Sequence, residues 1–234
     1  MESSASADAP TRTQLEIWSD VACPWCYIGR RNLGIALADF DQRERPDITW
    51  RAYQLDPNIP DEGVDTDTYF ADRFPDTSAF EEARGRLVLL GEELGIEFRF
   101  DRQRKVPNTL LAHRVISAAA REGVEEPVLD ELFGAYFERG VDIGDADRLA
   151  ELVRDAVVDP ELADRILTAA TDDESIASRV LDDIDQARTL GITGVPCFVA
   201  DRRVAVPGAV PPSVLAQFLE DAVRHAEDID DDDD

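Results

Sequence analysis

Hydrophobic and polar positions alternate in two short segments near the start of the chain. QLEIWSD (residues 14–20) and DITWRAYQL (residues 47–55) both follow this period of two, which is typical of β-strands. Between them, apolar residues from position 24 to about position 40 recur at helical spacing. A strand, a helix and a second strand in so short a stretch predict a βαβ unit with parallel strands and a right-handed crossover.

The pattern changes after residue 55. DPNIPDEGVDTD (residues 56–67) is rich in Pro, Asp and Gly and is predicted to be a loop, whereas residues 68–190 are almost entirely helical in pattern. CFVA (197–200) and RVAVP (203–207) then predict two short strands separated by a polar pair. A final helix is predicted from Pro212 to about Ala226.

This order of elements predicts an α/β fold of the form βαβ…ββα with a large all-helical insertion. The β-bearing unit would comprise residues 14–60 and 191–226, and the insertion would span 61–190, including the helix that returns to the core. Residues 1–13 are expected to form a disordered N-terminal tail and residues 227–234 an acidic tail.

The charge of the chain is strongly acidic. The net charge is −27, from 51 acidic and 24 basic residues, and Lys105 is the one lysine. Because apolar residues still make up 44% of the chain, this composition indicates an acidic surface around a normal core. Adaptation to high salt is the preferred interpretation, and an ordinary acidic protein is the alternative. Nucleic acid is not an expected partner, because few cations are present to meet phosphate.

No stretch of the sequence is apolar over the roughly 18 residues that a membrane helix requires. The start of the chain, MESSASADAPTRT, lacks the basic and apolar regions of a secretory signal. We therefore expect a cytoplasmic protein that does not associate with a membrane.

The motif CPWC places two thiols two residues apart, at Cys23 and Cys26, where the first strand gives way to a helix. A structural zinc site is disfavoured because the motif supplies two of the four usual ligands and no second pair exists, so no metal is expected. A structural disulfide would close a very small loop. A redox pair fits best: Pro24 suits the first helical position, and unpaired N–H groups there favour a thiolate on Cys23. Cys26, about one turn later, would resolve a mixed disulfide.

Four segments in order resemble one known family: SDVACPWCYIGRR, NTLLAHR, ELFGAYFERG and GITGVPCFVADRRVAVPGA. They resemble the DsbA-like thioredoxin family, in its FrnE-type branch, from about residue 14 to residue 222. The resemblance implies a thioredoxin-like fold with a helical insertion, and thiol–disulfide oxidoreductase or isomerase activity without a bound prosthetic group. Related 2-hydroxychromene-2-carboxylate isomerases and kappa-type glutathione transferases typically carry serine where Cys23 stands.

The resemblance also implies roles for residues outside the motif. Val195–Pro196 matches the cis-proline loop of thioredoxin folds, which lies against the active disulfide and offers the Val195 backbone to a substrate chain. Asn108 is predicted to cap the helix that begins NTLLAHR, and the resemblance implies that this helix faces CPWC and lines a substrate groove. His113 on that helix would then tune the thiolates or move protons; the alternative is a core histidine.

Four residues near the motif have open roles. Asp20 would relay a proton or form part of a turn. Trp25 is expected to be exposed beside the site, where it would contact apolar substrate, and Tyr27 either flanks the thiols or belongs to the core. Cys197 is expected to be a buried small hydrophobe, a third redox-active thiol or half of an intermolecular disulfide, with the first preferred.

The leading hypothesis is a cytoplasmic enzyme that exchanges disulfides on protein substrates through the dithiol, with its disulfide as the only redox centre. The first alternative is an isomerase or transferase that acts on a small aromatic compound with a low-molecular-weight thiol as cofactor. The second is a redox-switched binding module. Protein dithiols or disulfides, or a small thiol, are therefore the expected partners, and the oligomeric state is left open.

Overall fold

The computed structural model describes residues 12–74 and 76–230, with side chains described up to residue 224. Residues 1–11 of the predicted N-terminal tail and 231–234 of the predicted acidic tail lie outside the described residues. Thr13, which was assigned to that tail, is buried, and its carbonyl accepts a hydrogen bond from Asp47 N.

Within residues 12–74 and 76–230, six strands form two sheets: β1 (Gln14–Ser19), β2 (Asp47–Ala52), β3 (Val64–Asp65), β4 (Lys105–Val106), β5 (Cys197–Ala200) and β6 (Val204–Pro207). The main sheet has the order β2-β1-β5-β6, and β3 pairs with β4 in a separate antiparallel pair. β1 and β2 are parallel, which confirms the predicted βαβ unit, whereas β5 runs antiparallel to β1 and to β6.

Nine helices are present in the described residues: α1 (Pro24–Ala36), α2 (Thr66–Arg73), α3 (Thr77–Glu93), α4 (Leu110–Arg121), α5 (Glu125–Gly134), α6 (Ala146–Ala156), α7 (Pro160–Asp172), α8 (Glu174–Thr189) and α9 (Pro212–Asp230). A π-helical turn, Ala135–Arg139, continues α5. Helices α2, α3, α6, α7 and α8 each follow an aspartate whose carboxylate accepts a hydrogen bond from an N–H group of the first turn. The many aspartates of the chain therefore also mark where helices begin.

Several predicted boundaries were wrong. Helix α1 ends at Ala36 rather than near Phe40, before two aspartates that would interact unfavourably with the negative end of a longer helix. Strand β2 stops at Ala52, and α9 continues to Asp230. Strands β3 and β4 were missed because two residues are too few to show an alternating pattern.

The main sheet is covered on both faces. Ile17 of β1 and Phe198 of β5 face α1 and α9 in the main hydrophobic cluster, which also holds both cysteines of the CPWC motif. On the opposite face, Trp18 packs with Ala187 of α8, and its indole N–H donates to Asp183 O at 3.1 Å. The alternation in β1 therefore separates two buried faces, and not an inner face from a solvated one.

A buried ion-pair network fills the α8 side of β1. Glu16, which is 6% exposed, accepts hydrogen bonds from Arg51 of β2 and from Arg202 in the turn between β5 and β6. Arg51 also pairs with Asp183 of α8 at 2.9 Å. The polar residue that alternation placed outside is thus held inside by two guanidinium groups.

In the part of the chain that the structure describes, no helix combines the length and the apolar character needed to cross a bilayer.

Candidate active site

The CPWC motif lies where β1 gives way to α1. A tight turn follows Ser19, in which Cys23 N donates to Asp20 O at 2.9 Å, and Cys23 is the extended residue immediately before the helix. Pro24 is the first helical residue, where its fixed φ suits the helix and its missing N–H removes no intrahelical bond. The first turn of α1 carries no acidic side chain, so Cys23 stands at the positive end of the helix with no carboxylate on that turn.

Cys26 is completely buried, one turn behind Cys23, and the structure holds both as free thiols. Burial raises the pKa of the Cys26 thiol well above its ordinary value, and the hydrogen bond and charge of Cys23 raise it further. Ser19 and the backbone of Asp20 act in the opposite direction and lower the pKa of Cys26. A negative charge on both sulfurs at once is therefore disfavoured.

The loop before β5 lies against the first thiol. The Val195–Pro196 peptide bond is cis, as predicted, and Cys23 Sγ lies 3.6 Å from the carbonyl oxygen of Val195. Gly208 N donates to Pro196 O at 2.7 Å, which ties the loop to the end of β6. The backbone that the resemblance assigns to substrate docking is therefore directly beside Cys23.

Close packing of α1 against this loop depends on Gly29. A Cβ atom at Gly29 would lie 2.8 Å from Cγ of Pro196, which is nearer than real Cβ contacts allow. The Pro196 ring is not a flexible side chain, so the loop and helix would have to separate.

Gly29→Ala is therefore expected to destabilise the protein by about 1–3 kcal/mol and to slow disulfide exchange, because it moves the Val195 carbonyl away from Cys23. Gly34→Ala on the same helix is the matched control: its nearest neighbour would be an Arg30 nitrogen at 3.8 Å, so stability should rise by about 0.5–1 kcal/mol. Denaturant unfolding and disulfide-exchange rates of the two variants test this prediction. Equal stabilities and equal rates for Gly29→Ala and Gly34→Ala would contradict it.

Asp20 and His113 meet beneath the motif. The Asp20 carboxylate is 2% exposed and accepts hydrogen bonds from Leu55 N at 2.8 Å and Ala22 N at 3.2 Å. His113 Nε2 lies 2.9 Å from Tyr53 O and 3.5 Å from Asp20 Oδ1. Because a carbonyl oxygen can only accept, we assign the ring proton to Nε2. Asp20 thus braces the turn before Cys23, and His113 connects α4 to it.

Asn108 and Trp25 occupy different surroundings. Asn108 uses its side chain within the protein, donating to Ile59 O at 2.8 Å and accepting from Leu110 N at 2.9 Å. Thr109, not Asn108, is the residue immediately before α4, although Asn108 makes the capping bond. Trp25 is 38% exposed on α1, so it is available to a substrate.

Tyr27 belongs to the core. Its ring stacks on Phe133 at a centroid distance of 5.1 Å, and its hydroxyl donates to Glu138 at 2.6 Å. Burial, followed by the bond to Glu138, raises the pKa of Tyr27 to about 12.

Cys197 lies on the other face of the sheet. It packs with Trp18, Ala187 and Val199, whereas its neighbour Phe198 packs on the side of the CPWC motif. Burial raises the pKa of the Cys197 thiol. The structure therefore brings Val195 and Pro196 to the thiol pair but not Cys197.

Sequence reasoning missed two residues of the site. Ser19 is an ordinary strand residue in the pattern, yet it acts to lower the pKa of Cys26. Gly29 is one of two glycines in α1, and only the position of Pro196 distinguishes it from Gly34. Neither residue carries a signal of its own: Gly29 depends on Pro196, which is distant in the sequence, and Ser19 depends on how the turn after β1 folds.

The fold and site define a class: a thioredoxin-like sheet with a C-x-x-C pair at a helix N-terminus and a cis-proline loop beside it. A family model described as the DSBA-like thioredoxin domain matches residues 14–220. The chain belongs to this family, whose members use a redox-active cysteine pair.

Solved structures agree with this family. The chain is 31% identical to a probable DsbA oxidoreductase from Streptomyces coelicolor, with a TM-score of 0.79 over 90% of each chain. It shares the fold of the cytosolic disulfide reductase DsbM from Pseudomonas aeruginosa, with 18% identity and a TM-score of 0.65 over 90% of this chain and 98% of that one. DsbM has also been solved with GSH. A 2-hydroxychromene-2-carboxylate isomerase shares the fold at 14% identity, with a TM-score of 0.61 over 92% of this chain and 98% of that one.

Proposed function

We propose that this chain is a cytoplasmic thiol–disulfide oxidoreductase that acts on protein substrates through Cys23 and Cys26. The observation that carries the proposal is the position of Cys23, at a helix N-terminus with Val195 O 3.6 Å away and Cys26 buried behind it. The cytosolic assignment of DsbM supports the cytoplasm as the compartment.

The first step is attack of the Cys23 thiolate on a substrate disulfide. A bond forms between Cys23 Sγ and one substrate sulfur, and the other substrate sulfur leaves as a thiolate. An extended substrate chain would be positioned by donating a backbone N–H to the Val195 carbonyl, in the manner of an added strand.

The second step is resolution by Cys26. Once Cys23 is in a mixed disulfide it carries no charge, so the two contributions of Cys23 that raise the pKa of Cys26 are lost. Burial still opposes the Cys26 thiolate, whereas Ser19 and the Asp20 backbone stabilise it. The thiolate then attacks Cys23 Sγ, the intramolecular disulfide forms, and the second substrate sulfur leaves; the substrate gains two electrons and the enzyme loses two. The reverse sequence oxidises a substrate dithiol.

Counting free thiols in glutathione buffers of stepped potential tests the proposal. We expect one two-electron transition in which two thiols disappear together and Cys197 stays reduced. Cys197→Ala is the matched control and should show the same midpoint. Three free thiols at every potential, or only adducts with glutathione, would overturn the proposal.

A second candidate is a thiol-cofactor-dependent isomerase or transferase that acts on a small aromatic compound. A cavity of about 290 Å³ with largely aromatic walls, beside the N-terminus of α1, favours it. Incubation with glutathione and 2-hydroxychromene-2-carboxylate separates the candidates. Isomerisation that requires Cys23, with no change in the thiol count, would replace the first proposal with the second.

The charge of the chain supports a salt-rich working environment. With a net charge of −27, self-repulsion destabilises the folded state at low salt, and added salt screens it. The urea midpoint of unfolding is therefore expected to rise as KCl increases from about 0.1 M to about 2 M. Sucrose at equal water activity separates screening from solute exclusion. A midpoint that is flat or falls with KCl would contradict salt adaptation.

A further inference from the structure

A cavity of about 290 Å³ lies between the active-site turn and the helices α2 and α3. One end is formed by Asp20, Ala22 and Pro24, which are the residues on either side of Cys23. The cavity therefore lies next to residues that flank Cys23, although Cys23 itself does not line it. We call it the aromatic pocket.

The far wall of the aromatic pocket is built from phenylalanine rings. Phe70, Phe74 and Phe80 contact one another, with centroids 4.9 Å apart for Phe70–Phe80 and Phe74–Phe80 and 6.0 Å apart for Phe70–Phe74. The guanidinium of Arg84 lies 5.2 Å from the ring centre of Phe80 and 4.8 Å from that of Phe100. Arg84 therefore connects these two rings of the wall. Such walls pack well against another flat ring, either face to edge or offset and stacked.

The charges of the aromatic pocket are balanced by the protein itself. Asp56 accepts from Arg73 at 2.8 Å and from the hydroxyl of Tyr69 at 3.2 Å. The Asp20 carboxylate accepts hydrogen bonds from two backbone N–H groups, those of Ala22 and Leu55. With two carboxylates and two guanidiniums in its lining, the pocket has no net formal charge. It therefore suits an uncharged ring better than an anion.

The volume also fits a ring. A cavity of roughly 150 Å³ binds benzene in a protein core, so about 290 Å³ leaves room for a bicyclic group such as indole. We infer that the aromatic pocket binds an uncharged aromatic group attached close to the sulfur that Cys23 attacks. This inference rests on the proposed function, and it specifies the substrates as disulfides flanked by an aromatic ring.

Two disulfide-linked peptides that differ only in Trp or Ala beside the cysteine test the inference. The intact protein should turn over the Trp peptide with a kcat/KM at least about tenfold higher, the scale expected for removing one ring from water. Equal kcat/KM values for the two peptides, together with no preference for an aromatic small-molecule disulfide over an aliphatic one, would overturn the inference. The ring could belong to a peptide side chain or to a small aromatic compound, and a disulfide of benzyl thiol separates these two sources. If the protein prefers the benzyl disulfide to an aliphatic one but does not distinguish the two peptides, the pocket is assigned to small aromatic compounds.

Two variants on α3 provide the matched comparison. Phe80→Ala, in the pocket wall, should bring the ratio of kcat/KM between the Trp and Ala peptides towards one. Leu89→Ala removes a 63% exposed apolar side chain from the same helix outside the pocket, and it should leave that ratio unchanged. A ratio unaffected by Phe80→Ala would contradict the assignment.

A binding measurement keeps the inference separate from the proposed function. N-acetyltryptophanamide is neutral and contains no sulfur, so its binding to the intact protein can be followed by ligand-observed NMR without turnover. Binding that Phe80→Ala weakens supports the aromatic pocket even if no substrate is exchanged. Exchange of disulfides without any binding of the amide would overturn the pocket and leave the proposed function standing.

Discussion

Cys23→Ser should reduce the rate of insulin-disulfide reduction by at least about 10³-fold, because no other thiol in the described chain can replace the attacking sulfur. Cys26→Ser should behave differently. Its Cys23 still attacks, but the buried resolving thiol is missing, so a substrate remains covalently attached to Cys23. Non-reducing gels and intact-mass measurement detect this adduct.

Cys197→Ala is the control for both variants. Cys197 is buried like Cys26 but on the other side of the sheet, so its removal should leave turnover and adduct formation unchanged. Undiminished turnover in Cys23→Ser, or an adduct on Cys197 in Cys26→Ser, would be incompatible with the assigned order of attack.

Glu16→Gln should lower the free energy of unfolding by about 3 kcal/mol at pH 7, because Arg202 loses its carboxylate partner and Arg51 loses one of its two, keeping Asp183. Hydrogen bonds from Arg202, opposed by burial and reinforced by Arg51, lower the pKa of Glu16 below its ordinary value of 4.5. A folded-state pKa below the unfolded value stabilises the protein fully above about pH 4.5, and this stabilisation is lost as the pH falls through the folded-state pKa. The difference in free energy of unfolding between the wild type and Glu16→Gln should therefore become smaller as the pH is lowered.

An exposed pair supplies the comparison for Glu16. Asp185 pairs with Arg188 at 2.7 Å, but their side chains are 71% and 62% exposed. Asp185→Asn should change the free energy of unfolding by less than about 1 kcal/mol, and less still in high salt. Denaturant unfolding of both variants between pH 3 and pH 7 checks the two expectations. Similar losses of unfolding free energy in Glu16→Gln and Asp185→Asn would show that the burial of Glu16 does not strengthen its ion pairs.

Much of the fold could be predicted from the sequence where the relevant interactions are local. The alternation in β1 and β2, Pro24 at the start of α1 and the aspartates before the later helices all act within a few residues. The β3–β4 pair and the burial of Glu16 could not be predicted, because they depend on partners 35 or more residues away along the chain.

The candidate site also combines features that the sequence predicts with features that only the fold reveals. The CPWC motif and Val195–Pro196 were identified because their residue types are characteristic of this chemistry, and the pair does lie beside the loop. Ser19, Gly29 and the wall of the aromatic pocket are ordinary residues in the sequence. Their proposed roles depend on neighbours that the fold supplies: Cys26 for Ser19, Pro196 for Gly29, and the turn before Cys23 for the pocket wall.

The placement of Cys197 has a consequence for the fidelity of oxidation. Three thiols in one chain allow three different intramolecular pairings, and only the pairing of Cys23 with Cys26 produces the redox centre. Cys197 immediately follows Pro196 in the sequence, yet the β-sheet stands between its sulfur and the pair. The sheet acts as a partition that excludes two of the three pairings in the folded state. Under the proposed function, an oxidant is therefore expected to convert the folded chain to a single disulfide isomer.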